Sequence, residues 1–237
     1  KHQTGNLKPR IFRLEKDKAM INRLGFNNDG METVSERLSE NPPDDYLGIN
    51  IGPNRDTKDK TSDFIKCFDK LNKFASYITI NISSPNTEGL RNFHEKELLS
   101  DLLAKLNKLK KDKKIQCPIV LKISPDIAEK EIFNINEMIL KFRIDGIILT
   151  NTTNQYRENL SDNKKHEKGG LSGLPLQKIS LKLIKQFFKS SKGKVPIIGV
   201  GGIDSGQSAF EKIAAGATAI QLYTGMVYNG PGVVKDI

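Results

Sequence analysis

Short apolar segments alternate with longer amphipathic segments from residue 46 to the end of the chain. The apolar segments are rich in Ile, Leu and Val, which is typical of parallel strands buried on both faces. Strands are predicted at 46–51, 77–82, 118–123, 146–151, 196–200 and 219–223, with helices at 61–74, 98–109, 131–142, 176–189 and 206–216. The alternation predicts an α/β protein, either a doubly wound sheet or a (β/α)8 TIM barrel.

The same pattern bears on the domain organisation. No composition shift or flexible linker divides the chain, so residues 1–237 are interpreted as a single domain. A closed barrel of this type has eight strands, whereas six are predicted here. Residues 1–45 contain a predicted helix at 31–40 but no convincing core strand, so either the barrel is incomplete in this chain or the sheet is open. The loop at 152–170 is long enough to be functional or mobile.

The formal net charge of +10 is compatible with an anionic partner such as nucleic acid. The basic residues are scattered, however, and the run at 108–114 falls at the end of a predicted amphipathic helix, where lysines are favoured. The aromatic residues that a single-strand-binding surface would interleave with these lysines are missing. We therefore predict no nucleic-acid partner.

Histidines and cysteines give no sign of a metal site or a disulfide framework. His2, His94 and His166 show no ligand spacing, so no metal is predicted. Cys67 and Cys117 form no CxxC motif and are interpreted as core residues in a reducing compartment. No apolar run approaches the roughly 20 residues of a membrane-spanning helix, and the polar opening segment does not suggest a signal peptide.

Polar and mostly uncharged residues follow the predicted strands. In a (β/α)8 barrel the active site forms at the carboxyl ends of the strands, so these residues are expected to meet. The strand ends carry Asn50, Asn81, Ser84, Asn86, Thr87, Lys122, Thr150, Asn151 and Thr152. Lys122 is the charged exception among them. The set predicts a shared pocket for a flat polar molecule.

Glycines follow the last two predicted strands. Gly201 and Gly202 lie between a strand and a helix, and Tyr223 and Thr224 precede another glycine after the final strand. Loops at these positions in barrels commonly bind a phosphate through backbone N–H groups, because glycine lets the backbone approach closely. The alternative is that both glycines serve only a tight turn.

The whole chain resembles the dihydroorotate dehydrogenase family. The resemblance is carried, in family order, by GNLKPRIFRLEKDKAMINRLGFNNDG, NISSPNTEGLR, LKISPD, DGIILTNTT, GGLSG, PIIGVGGIDSG and QLYTG. A serine at position 84, where soluble class 1 members carry cysteine, together with PRIFRL and INRLGFNN, resembles the quinone-linked class 2 enzymes. The resemblance implies an FMN-containing (β/α)8 barrel that oxidises dihydroorotate to orotate in de novo pyrimidine (UMP) biosynthesis.

The resemblance also implies a role for each matching residue. Ser84 would be the general base and Thr87 part of its proton relay, while Arg13 would line the quinone tunnel. The substrate would contact Asn22, Gly25, Phe26, Asn81, Asn86, Asn151 and Thr152. FMN would contact Asn50, Lys122, Thr150, Ser172, Gly173, Gly201, Gly202, Tyr223 and Thr224. The implied partners are dihydroorotate, orotate and a ubiquinone-type quinone, at the mitochondrial inner membrane or, alternatively, the bacterial cytoplasmic membrane.

Some family features are not matched. Leu7 stands where the family usually has proline. The family's upstream strand-helix unit with its flavin-contacting lysine, its membrane-resting helical pair and most of its final helix have no counterpart, so this chain alone is not expected to form a competent enzyme. Two alternatives remain open: another FMN-dependent barrel oxidoreductase of the dihydropyrimidine or fumarate-linked type, and a phosphate-binding barrel without catalysis.

Overall fold

Two sheets organise the chain in the computed structural model, which describes residues 1–83 and 89–237. The strands are β1 Ile11–Leu14, β2 Ala19–Asn22, β3 Gly48–Ile51, β4 Tyr77–Asn81, β5 Ile119–Ile123, β6 Gly146–Leu149, β7 Gly170–Gly173, β8 Ile197–Val200 and β9 Ala219–Gln221. The helices are α1 Met31–Glu40, α2 Lys60–Leu71, α3 Lys96–Lys113, α4 Glu129–Lys141, α5 Gln177–Ser191, α6 Gly206–Ala214, α7 Thr224–Asn229 and α8 Val233–Asp236.

The larger sheet contains six parallel strands in the order β3-β4-β5-β6-β8-β9. These are the six strands predicted from the sequence, each within three residues of its predicted ends, and the predicted helices lie between them. The α/β interpretation is therefore confirmed. Within the described residues β3 and β9 form the two edges of this sheet, whereas a closed barrel of this class has eight strands.

Alternation along β4 separates a core face from a polar face. Ile78 and Ile80 are fully buried and pack in the main core cluster with Phe64 and Phe68 of α2. Thr79 and Asn81, at the alternate positions, line a cavity instead. Since successive strand residues point to opposite faces, one strand supplies both the core and the polar cavity. Burying each large apolar side chain stabilises this arrangement by roughly 1.5–3 kcal/mol.

The smaller sheet is antiparallel and has the order β1-β2-β7. In it, Met20 pairs with Ser172 and Asn22 with Gly170, so the start of the chain is joined to the segment after β6. The prediction that residues 1–45 contain no core strand is right for the parallel sheet, but it misses β1 and β2. Each is only four residues long; β1 pairs with β2, and β2 pairs with the distant strand β7.

The loop predicted at 152–170 is held by specific hydrogen bonds. Thr153 pairs through its backbone with Leu171, at N···O distances of 3.1 and 2.7 Å. The Arg157 guanidinium donates hydrogen bonds to the carbonyls of Lys165, Glu167 and Gly169. The loop is therefore anchored to β7 and folded back on itself. None of the helices within the described ranges is long and apolar enough to cross a bilayer.

Candidate active site

Two adjoining cavities lie along the polar face of the parallel strands. Both include residues at the carboxyl ends of strands, and the first also reaches Gly48 and Tyr77, the first residues of β3 and β4. The first, of about 450 Å³, is lined by amide side chains and is called the amide cavity. The second, of about 530 Å³, is lined by four glycines and is called the glycine cavity. Both volumes fall in the usual range for small-molecule sites. The two cavities share Asn22, Leu24, Asn50, Lys122, Asn151, Thr152 and Gln221, so they form one continuous site.

The residues that the sequence predicted as substrate contacts line the amide cavity wherever the structure describes them. They are Asn22, Gly25, Phe26, Asn81, Asn151 and Thr152. Gly25 and Phe26 both have positive φ angles, of 74° and 54°, in the turn that follows β2. Ser84, Asn86 and Thr87 lie outside the described residues.

A hydrogen-bonded group fixes the amides of the cavity. The Asn151 side-chain nitrogen donates to Ser83 Oγ at 2.9 Å and to Asn81 Oδ1 at 3.3 Å. Ser83 Oγ itself donates to Asn81 Oδ1 at 2.7 Å. On the other side, the Thr152 backbone N–H donates to Asn151 Oδ1 at 2.8 Å. Because both ends of the Asn151 amide have partners, its orientation is set by the protein itself.

Lys122 provides the positive charge of the site. It lies on β5, where its Cα pairs with Asn81 of β4 and Ile148 of β6. The side chain is half-buried, and desolvation lowers the pKa of its ammonium group below the usual lysine value. Within the described residues no hydrogen bond or ion pair to this ammonium group is formed. Negative charge that develops on a bound molecule would therefore be stabilised here.

Glycine conformation shapes the second cavity. Gly173 and Gly202 have φ angles of +95° and +71°. A Cβ atom at Gly202 would lie 2.6 Å from the backbone nitrogen of Gln177, and one at Gly173 would lie 2.4 Å from the carbonyl oxygen of Lys18. These positions therefore require glycine for both conformation and space. Glycine at these positions therefore lets β7 pack against Lys18 and the turn after β8 pack against Gln177, and the backbone of both glycines lines the cavity.

All residues that the sequence predicted as cofactor contacts line the glycine cavity: Asn50, Lys122, Thr150, Ser172, Gly173, Gly201, Gly202, Tyr223 and Thr224. Two of them also contact each other, because Ser172 Oγ lies 2.9 Å from Thr224 Oγ1. That contact joins β7 to α7, which are separated by 52 positions in sequence.

Arg13 lies apart from this group. It is exposed on β1, and its guanidinium carbon is 5.8 Å from the centre of the Tyr228 ring. The hydroxyl of Tyr228 donates a hydrogen bond to the Ala19 carbonyl at 2.9 Å. Arg13 lines neither the amide cavity nor the glycine cavity.

Sequence reasoning missed several residues of the site. Tyr77 and Thr79 line the amide cavity, and Gln221 lines both cavities while its side-chain nitrogen donates to the Tyr77 hydroxyl at 3.0 Å. The alternation in YITINI could have identified Tyr77 and Thr79, since both share the face of Asn81. No local signal identifies Gln221, whose partner is 144 positions away.

Known proteins give a consistent comparison. The family model described as dihydroorotate dehydrogenase matches residues 1–237. Proteins named dihydroorotate dehydrogenase (quinone) are 44% identical in Idiomarina loihiensis and 45% identical in Christiangramia forsetii, over 99% and 100% of this chain. A third such protein, from Rhodopseudomonas palustris, is 43% identical over 100% of this chain. This chain spans 72%, 70% and 66% of those three relatives, respectively.

Solved structures agree with this similarity. Two crystal structures of DHODH from Eimeria tenella, one ligand-free and one in complex with ferulenol, match the whole chain with TM-scores of 0.95 and 0.94. Their sequences are 39% and 38% identical to this one, and the chain covers 72% and 70% of them. The larger sheet is thus part of the same barrel fold. The chain belongs to the dihydroorotate dehydrogenase family.

Proposed function

We propose that the protein is a quinone-linked dihydroorotate dehydrogenase, which oxidises dihydroorotate to orotate in pyrimidine biosynthesis. One observation carries the proposal. Within the described ranges, every predicted substrate contact lines the amide cavity and every predicted cofactor contact lines the adjoining glycine cavity. The names of the bacterial relatives support the same activity.

FMN is the cofactor that this site fits. The glycine cavity is lined by the Gly202 backbone and by the hydroxyl groups of Ser172 and Thr224, which suit a phosphate and a ribityl chain. Lys122 would lie beside the ring, where its positive charge would stabilise the reduced form. When bound, FMN supplies a hydride acceptor, and the protein supplies the orientation of the substrate.

The amide cavity is suited to a pyrimidine ring. A uracil-like ring presents carbonyl oxygens and N–H groups at its edges, and asparagine can both donate to and accept from such a ring. The Asn151 amide cannot turn over without breaking its hydrogen bonds to Ser83 and to the Thr152 N–H. It would therefore favour one orientation of the bound ring over the alternatives. Orienting the ring in advance lowers the entropic barrier to reaction.

Ser84 is the proposed base and Thr87 its proposed relay, on the resemblance alone, since both lie outside the described residues. Oxidation removes a proton from C5 of the substrate and a hydride from C6. The base must therefore lie on the opposite side of the substrate from the flavin. A neutral serine is a weak base, so a hydrogen-bonded relay has to accept its proton.

The quinone and the membrane belong to the same proposal. Arg13 is proposed to lie at the quinone entrance, and its position on an exposed strand, away from both cavities, is compatible with that role. The curated relatives reported above are bacterial, which favours the bacterial cytoplasmic membrane. The mitochondrial inner membrane stays a prediction without support from them.

Anaerobic mixing of the full-length holoenzyme with dihydroorotate tests the proposal. We expect loss of the oxidised-flavin absorbance, and its return on adding a ubiquinone analogue but not on adding fumarate. The Ser84→Ala variant should keep bound flavin and lose turnover by several orders of magnitude at neutral pH. Bleaching by NADPH and not by dihydroorotate would instead identify a different flavin-dependent reductase.

A further inference from the structure

Asp126 is a buried carboxylate that lines neither cavity. It follows β5, and its side chain is 2% exposed. Its Oδ1 accepts a hydrogen bond from the Thr153 hydroxyl, and its Oδ2 accepts one from the Asn154 backbone N–H at 3.0 Å. Arg91 Nη2 also lies 3.1 Å from Oδ2 in an ion pair. Both carboxylate oxygens are therefore occupied by partners from other segments.

These partners come from different strand ends. Arg91 begins the short 3-10 helix Arg91–His94, which follows β4. Thr153 and Asn154 follow β6, directly after the amide-cavity residues Asn151 and Thr152. Asp126 thus joins the segments that follow three neighbouring strands of the parallel sheet.

The linkage continues beyond Thr153. This residue is fully buried, and its backbone pairs with Leu171 of β7. Leu171 precedes Ser172 and Gly173, which line the glycine cavity. The Thr153 hydroxyl also accepts a hydrogen bond from the Gln155 N–H at 3.0 Å, which fixes the rotamer that faces Asp126. One carboxylate therefore holds the loop that connects the amide cavity to the glycine cavity.

A general contribution of Asp126 to fold stability does not account for this arrangement of partners as well as a role in positioning the loop does. Burying a carboxylate is costly, and an ion pair with arginine often only balances that cost. Here most of the hydrogen bonds are to a loop, so their main effect is on where that loop lies. A buried carboxylate with a hydrogen bond to each of its oxygens fixes one arrangement among the alternatives.

We propose that Asp126 is a positioning residue for the substrate site. It fixes Thr153 and Asn154, and so holds the Asn151 amide in hydrogen-bonding reach of Ser83 and of the substrate ring. The inference rests on the proposed function, because the ligand it concerns is dihydroorotate or orotate. Asp126 itself touches neither substrate nor flavin in this scheme.

Orotate affinity provides the test, measured from the perturbation of the flavin absorbance in the holoenzyme. We expect the Asp126→Asn variant to retain its flavin and to raise both the orotate Kd and the KM for dihydroorotate about tenfold or more. The matched control is Asp145→Asn. The Asp145 carboxylate also accepts a backbone hydrogen bond, from the Ile119 N–H at 2.7 Å, and pairs with Lys110, but it lies at the amino ends of the strands.

A second pair of variants decides the matter if Asp126→Asn fails to fold. Thr153→Val removes the hydroxyl that contacts Asp126, while Thr153→Ser keeps it. We expect weaker orotate binding in the valine variant and affinity near that of the wild type in the serine variant. Equal affinity in the two, or unchanged affinity in a folded Asp126→Asn variant, would overturn the proposal. If the wild type itself bound no orotate, the proposed function would fail instead.

Discussion

The side-chain nitrogen of Asn151 donates a hydrogen bond of 2.9 Å to Ser83 Oγ, across 68 positions of sequence. Ser83 is fully buried, and its hydroxyl donates in turn to Asn81 Oδ1 at 2.7 Å. The hydroxyl therefore acts as acceptor and donor between two asparagines of the amide cavity. Ser83 fixes their orientation although it does not line the cavity itself.

Replacing Ser83 with alanine tests this relationship. The Ser83→Ala variant should lose both hydrogen bonds and leave the Asn151 amide held only by Asn81 Oδ1 at 3.3 Å and by the Thr152 N–H. The looser amide should cost about 1–2 kcal/mol of substrate binding, or about five- to thirtyfold in affinity. The orotate Kd of the holoenzyme measures the effect. Ser100→Ala, on the outer helix α3, is the control and should leave the Kd unchanged. An unaltered Kd in Ser83→Ala would show that the amides are oriented by other contacts.

Gly202 allows a sharp test of the glycine cavity. In Gly202→Ala the new Cβ would meet the Gln177 backbone at 2.6 Å, so the turn must move and flavin content should fall strongly. The ratio of flavin to protein absorbance in the purified protein measures this. Gly230→Ala controls for conformation alone, because Gly230 has φ of +75° but open space around it. Gly232→Ala adds neither strain nor contact and should retain the flavin fully.

Lys122 is expected to lower the stability of the flavin-free protein while supporting the proposed reaction. Its lowered pKa means that the folded protein binds this proton less tightly than the unfolded chain. The charge therefore destabilises the fold below the unfolded-state pKa, and does so fully below the folded-state pKa. Lys122→Met should therefore raise the stability of the flavin-free protein at neutral pH, as followed by urea unfolding. The same change should slow flavin reduction by dihydroorotate at least tenfold. Lys122→Arg keeps the charge and should preserve the lower stability.

The lowered pKa of the buried His94 side chain should make the stability of the protein depend on pH. Burial, and then the neighbouring Arg91 charge, lower its pKa to about 4. An unfolded histidine has a pKa near 6.5, so the unfolded chain gains the proton first as the pH falls. The contribution of His94 to the free energy of unfolding is therefore present above about pH 6.5 and is lost as the pH falls towards 4, by about 2 kcal/mol between about pH 7.5 and pH 5.

The His94→Gln variant should lack this component of the pH dependence. Urea unfolding of both proteins at the two pH values measures the difference. The same slope in wild type and variant would mean that His94 stays accessible to a proton in the folded state.

The predicted strands were identified well because their signal is local. Runs such as the one at 77–82 contain enough branched apolar residues to indicate a buried strand without knowledge of its neighbours. The position of the polar residues followed from one further rule, that parallel strands place their carboxyl ends at one edge. That is why Asn81, Lys122 and Asn151 could be grouped from the sequence alone.

Other features depend on contacts between distant segments. β1 and β2 are short and carry no clear alternation, and β7 pairs with β2 across about 150 positions, as the Met20–Ser172 pair shows. Likewise, the local sequence around Ser83 indicates only a turn, and its role in orienting Asn151 is visible only in the folded structure. Only the family resemblance predicts that Asn22 belongs to the site. The structure brings it to both cavities, but its role remains a proposal.

The small antiparallel sheet positions residues of both the amide cavity and the glycine cavity, so a single change in its strand pairing affects both. Asn22 and Ser172 are positioned by the same β2–β7 register. A shift of that register by one residue would turn the side chains of the displaced strand to the opposite face, so Asn22 and Ser172 would no longer line the glycine cavity together. Substitutions that disturb the β1–β2 hairpin are therefore expected to weaken the proposed substrate and flavin binding together, because the one β2–β7 pairing supports residues of both cavities.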